Sequence, residues 1–202
     1  MSETAVSGDT LARLRELVAD EGEAIAPALG EAPGEDALAP FVRTAAAQRD
    51  DAEEYALVME SVLEGYLLHF GRTRLLDTDD GDLCLLAGDY MYALGLSRLA
   101  RLGDLAAVRA LADLITLSAR HNAAGEQHDD LLTGLWLLSA QAVASGPSEG
   151  HDRVLATVRD GTAEAGELLD EVALRAAAAG MELLTEHALI AFRAVALGGS
   201  QG

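Results

Sequence analysis

The chain contains no lysine, and all 14 of its basic residues are arginine. That absence excludes Schiff-base chemistry on a lysine and a lysine-bearing phosphate loop. Cysteine is almost as scarce. Cys84 is the only one, so an intrachain disulfide and a thiolate metal cluster are excluded. It stands in Leu83-Cys84-Leu85-Leu86, a setting that predicts a buried, inert thiol. Aromatic residues are few, and no run alternates β-branched or aromatic residues with polar ones, so a sheet has little to be built from. No apolar run is long enough and free enough of charge to span a bilayer. The segment Met1-Ser2-Glu3-Thr4 lacks the basic and apolar regions of a signal peptide, so a cytoplasmic location is expected.

What is abundant is alanine, leucine and acid. Half of the residues are hydrophobic, mostly alanine and leucine, which lose little side-chain entropy in a helix. This composition predicts an all-α helical bundle, one domain over residues 1–202, with 1–40 a loosely packed N-terminal segment. The net charge of −20 excludes a phosphate-binding stripe and adhesion to anionic membranes. It reads as a device for solubility.

Local signals divide the chain into helices. A first helix is expected after Ser7-Gly8-Asp9-Thr10, capped by Asp9 or Thr10, with Leu11, Leu14, Leu17 and Val18 as its apolar stripe. Glycines and prolines break 22–40 into turns. One long helix is expected over 41–70, and an Arg- and Asp-rich loop over 71–81. The segment 82–102 is apolar on nearly every face, which places it at the centre of the bundle, with Leu86, Tyr90, Ala93 and Leu94 buried. Gly81, Gly88 and Gly95 stand seven apart along it: either they form a bare strip where a neighbouring helix or a ligand can come close, or Gly81 belongs to the preceding loop and only two glycines matter. Further helices are expected at 105–123 (capped by Asp104), at 127–144, and over 152–197 with breaks near Gly161 and Gly180.

The run Leu85-Leu86-Ala87-Gly88-Asp89-Tyr90-Met91-Tyr92-Ala93-Leu94, followed by Leu102-Gly103-Asp104 and the helix 105–118, resembles the trans-polyprenyl diphosphate synthases. The resemblance covers residues 67–118. It implies an isoprenoid-synthase-like bundle, here truncated. In that family two aspartate-rich motifs hold magnesium, which binds the substrate diphosphate. The first should follow Leu67-Leu68-His69, where this chain has Phe70-Gly71-Arg72-Thr73-Arg74. Phenylalanine and glycine offer no carboxylate, and the family's diphosphate-binding lysine has no counterpart. The resemblance therefore implies a degenerate member without the aspartate-rich motifs.

The remaining candidates for ligand binding are Asp89, Arg72, Arg74, Asp129 and Asp130. Arg72 and Arg74 can hold an anion, or pair with Asp77, Asp79 and Asp80 of the same loop; the shorter sequence separation favours self-pairing. His128-Asp129-Asp130 reads as the start of a helix, where carboxylates favour the positive end of the dipole. Five histidines occur, His69, His121, His128, His151 and His187, without HExxH or paired ExxH spacing, so no metal site and no cofactor are expected. Glu164, Glu167, Asp170 and Glu171 form an acidic helix face. The functional expectation is a non-catalytic polyprenyl-synthase-like protein, acting as partner or regulatory subunit or as a binder of an apolar small molecule. The alternatives are residual isoprenoid diphosphate processing and an unrelated helical interaction module. Apolar residues of the C-terminal helices exceed what a monomer's interior can hold, so a homodimer or a helical partner is expected.

Overall fold

The computed structural model describes residues 9–31, 34–125 and 129–197. Among them the chain is all α-helical: α1 (Asp9–Glu21), α2 (Ala39–Ala45), α3 (Ala52–Phe70), α4 (Gly81–Leu102), α5 (Leu105–Ala123), α6 (Asp129–Ser145), α7 (Glu149–Asp160), α8 (Ala165–Ala179) and α9 (Glu182–Ala196). No strand occurs among the described residues; a single bridge joins Leu29 to Leu76. No described helix is long and apolar enough to cross a membrane.

Two helices form the interior. Every residue of α3 from Tyr55 to Leu68 is buried, as is every residue of α6 from Leu132 to Ala144. Around them, α4 lies along α3, and α8 lies on α6. The expectation for residues 82–102 is thereby corrected, because α4 is a flank helix. Only Ala87, Gly88, Met91, Leu94, Gly95 and Leu99 are buried on it. Leu94 is inside as expected, Tyr90 is half-buried, Ala93 is exposed, and Leu86 is 53% exposed. The helix is apolar all round, yet only one side has a neighbour. Cys84 is half-buried.

The glycine strip does work as a close approach, with two glycines rather than three. A Cβ on Gly88 would lie 2.6 Å from the ring of His69, and one on Gly95 would lie 2.7 Å from Val62 Cγ2. Gly81 faces open space. From α3, Gly65 meets the strip at Tyr92 and the Gly88 carbonyl, so the two helices touch nearly backbone to backbone.

The single helix expected over 41–70 is two. Between α2 and α3 the chain turns, and Arg49 leaves the helical path to reach Asp104 and the Tyr55 hydroxyl. Its guanidinium lies 4.6 Å over the Tyr55 ring. Asp104 in turn caps α5 by accepting from the Ala107 N–H, as expected from its position. Burial works against the charge on Asp104, but the Ala107 N–H and Arg49 outweigh it and hold its carboxyl below the usual range.

The start of α1 is capped from a distance. The Asp36 carboxylate accepts from the N–H groups of Thr10 and Leu11, at 3.2 and 2.7 Å. Local sequence offered Asp9 or Thr10 for that role; the Thr10 hydroxyl instead accepts from Arg43 Nη2, and the Asp9 side chain lies outside the described residues. Leu11, Leu14 and Val18 are fully buried, as the stripe predicts.

Candidate functional site

The place where the first aspartate-rich motif would fall is occupied by the end of α3 and the loop after it. Phe70 closes α3 and stacks on Tyr66 at 5.3 Å. Arg72 is exposed. Arg74 folds back under the loop, leaving its side chain 7% exposed. Its Nη1 donates to Glu60 Oε2 at 2.8 Å and its Nε to Glu64 Oε2 at 3.0 Å. Burial opposes the charge on Arg74, but Glu60 and Glu64 outweigh it and raise its pKa above the ordinary guanidinium value.

Glu60 and Glu64 are one helical turn apart on α3 and wholly buried. Their remaining capacity is spent on the backbone. Glu60 Oε1 accepts from the N–H groups of Ala37, Leu38 and Ala39, which caps α2, a helix without a local side-chain cap. Glu64 Oε1 accepts from Thr73 Oγ1 and from the N–H groups of Arg74 and Leu75. The two carboxylates thus fasten the segments before and after α3 to its middle. This corrects the expected pairing of Arg74 with its own loop, because the acids that hold it lie 10 and 14 residues earlier. Asp77 and Asp79 are exposed, and Asp80 caps α4 through the N–H groups of Asp82 and Leu83. A signal for this knot existed in the sequence: two glutamates four apart inside an otherwise apolar helix require a buried cation.

The other candidates are not brought together. Asp89 projects into solvent on α4, 3.4 Å from His69 Nε2, with its side chain 79% exposed. Asp130, at the first turn of α6, pairs with Arg193 of α9. The side chain of Asp129 and all of His128 lie outside the described residues. No three His, Cys, Asp or Glu side chains among the described residues are grouped to hold a metal ion.

Among the described residues His151 is the one histidine at nearly full depth, 2% exposed. Its Nδ1 lies 3.0 Å from Asp152 Oδ1, and its Nε2 is buried without a partner among the described residues. Burial pushes its pKa below the ordinary imidazole value, against the pull of Asp152. The unfolded chain therefore binds a proton more readily than the folded one. His151 stabilises the fold fully above the unfolded pKa, and that contribution is lost as pH falls through and below it. In urea unfolding, the stability difference between wild type and His151→Gln should shrink between about pH 7 and about pH 5. A pH-independent difference would mean that the imidazole is as basic folded as unfolded.

Beside His151, the first turn of α7 is clipped to α8. Ser148 caps α7 through the His151 N–H and donates from its hydroxyl to Glu171 Oε1 at 3.1 Å. A Cβ on Gly150 would fall 2.2 Å from the same oxygen, so glycine is what lets the carboxylate rest on the helix. Arg175 reaches Ser145 and the Gly146 carbonyl.

Besides Leu85 and Leu86 of α4, Leu105 and Phe70, which are also exposed, two outward-facing features concern the C-terminal half. One is a cavity of about 820 Å³ where α5 and α7 end, with an apolar wall including Leu117, Leu131 and Val158, and with Arg120, His121 and Glu164. The other is the outer side of α8 and α9. There Leu174, Leu183 and Ile190 are 66%, 75% and 58% exposed, although Leu168, Val172 and Phe192 of the same helices are buried. No protein-family model, curated protein or solved structure matches the chain.

Proposed function

We propose that this chain is a non-catalytic helical protein that works as a partner or regulatory subunit, docking another protein on the outer side of α8 and α9. The observation that carries the reading is the exposure of Leu174, Leu183 and Ile190. Three large aliphatic side chains of α8 and α9 are held in water while Leu168, Val172 and Phe192 of the same helices fill the core, and exposed apolar surface of this kind marks an interaction surface. The dispersal of Asp89 and Asp130, and the full engagement of Glu60 and Glu64 by backbone and Arg74, speak against magnesium-dependent diphosphate chemistry. A synthase-like bundle would centre on residues 82–102. Here α4 lies at the flank, so the proposal rests on the surface and not on the family resemblance.

Two measurements test its two halves. Replacing Leu174, Leu183 and Ile190 together by serine should change stability by no more than about 0.5 kcal/mol per site. A cost of about 2–5 kcal/mol at any of them is the signature of a core residue and would remove the docking surface. Calorimetric titration with magnesium and inorganic diphosphate should give no saturable heat. Micromolar, diphosphate-dependent binding would overturn the non-catalytic half.

A further inference from the structure

Beside the exposed stripe of α8 runs a groove of about 370 Å³, between α7 and α8. Val154, Thr157 and Leu174 supply its apolar and neutral lining, and Glu167, Asp170 and Glu171 supply three carboxylates. The one cation among the lining residues is Arg153. Its side chain is 73% exposed and stands 3.9 Å from Glu171, the limit of an ion pair. Arg175, the nearest other cation on α8, is turned away toward Ser145 and Gly146. The groove thus sets Val154 and Leu174 beside three carboxylates and is short of positive charge.

The outer side of α8 continues the pattern. Glu167 and Asp170 are exposed at its N-terminal half, and Ala173, Leu174, Ala177 and Ala178 are exposed at its C-terminal half. Positions three, four and seven apart share one face of a helix. Acid therefore leads and small apolar residues follow along one stripe.

We infer that the α7–α8 groove receives a basic amphipathic helix of a partner protein, its leucine-type side chains against the exposed Leu174 and its arginine or lysine side chains on the exposed Glu167 and Asp170. The inference rests on the docking reading above and names its occupant. Helix-in-groove recognition needs apolar anchors at helical spacing and a charge pattern that fixes register. Both halves of that requirement are present here. A second copy of this chain is the poorer occupant, because it would bring the same three carboxylates, and a net charge of −20, against its own kind. An uncharged apolar molecule would cover Leu174 and leave the exposed carboxylates of Glu167 and Asp170 unmet.

The test uses the full chain and two synthetic helical peptides with identical leucine stripes, one flanked by arginine and the other by glutamate. Binding is read by fluorescence anisotropy at low and at physiological salt. The arginine peptide should bind, and added salt should weaken it. Leu174→Ser should weaken it about tenfold, as loss of a buried anchor does, and Glu167→Gln with Asp170→Asn should weaken it severalfold and flatten its salt dependence. Both variants must keep the wild-type helical signal and melting temperature. Equal binding of the arginine peptide to all three proteins would place it elsewhere and overturn the inference. Equal binding of both peptides to the wild type, lost in Leu174→Ser, would overturn the charge selection and leave the docking reading standing. Binding of neither peptide, with light scattering showing a dimer that Leu174→Ser splits, would make a second copy the occupant. Binding of neither, with a monomer at every salt concentration, would sink both.

Discussion

Replacement of Arg74 by methionine is expected to lower the unfolding free energy by about 3–5 kcal/mol, the cost of removing one partner from a buried ion cluster. Methionine keeps much of the stem and loses the fork. Glu60 Oε2 and Glu64 Oε2, now held at 2.8 and 3.0 Å, would then carry charge in an interior with no cation to meet it. Lysine should recover only part of the loss, because a single ammonium cannot reach two carboxylates with the geometry of the guanidinium. Adding Glu64→Gln to the methionine variant should also recover part, since it removes one of the orphaned charges. Chemical denaturation followed by the helical circular-dichroism signal measures all three. A loss under about 1 kcal/mol for the methionine variant, the value of a solvated pair, would mean that water reaches the two glutamates.

Trp136→Ala is expected to cost about as much, 3–5 kcal/mol on the scale of large aromatic truncations. The indole is 1% exposed and ties three helices together. It meets Tyr66 of α3 edge-on at 5.3 Å and Phe192 of α9 at 5.5 Å. Its Nε1 is buried without an acceptor among the described residues. Trp136→Phe should therefore be far milder, about 1.5 kcal/mol or less, because the lost volume is offset by removal of an unsatisfied donor. If the phenylalanine variant loses as much as the alanine variant, the indole N–H is hydrogen-bonded and the packing account is wrong.

Breaks between helices were legible in the sequence because their causes are local. Gly103, Gly161 and Gly180 take positive φ values of 72°, 72° and 66°, which glycine adopts without strain. Asp104 caps the helix that directly follows it. The interior was not legible for the opposite reason. Residues 82–102 are the more uniformly apolar stretch, yet α3, with two glutamates in its middle, is the helix that lies inside. Its burial depends on Arg74, which no periodicity within α3 announces. The loop arginines were legible as ion-pair formers but not their partners, since proximity in sequence pointed to Asp77, Asp79 and Asp80. The surplus of apolar residues in α8 and α9 was visible, whereas which of them stay in water depended on how α2, α6 and α7 pack against the two helices.

The remote carboxylate caps of α1 and α2 carry a consequence for the order of folding. Asp36 reaches α1 across 26 residues, and Glu60 reaches the first turn of α2 across 21 to 23. A helix of 13 residues, and still more one of 7, is marginal in isolation because nucleation is costly. With their caps supplied from elsewhere in the chain, α1 is completed only when Asp36 reaches it and α2 only when Glu60 of α3 does. For the first third of this protein, local and long-range ordering are therefore coupled, and the loop-closure entropy of each encounter adds to the barrier for the helix it caps.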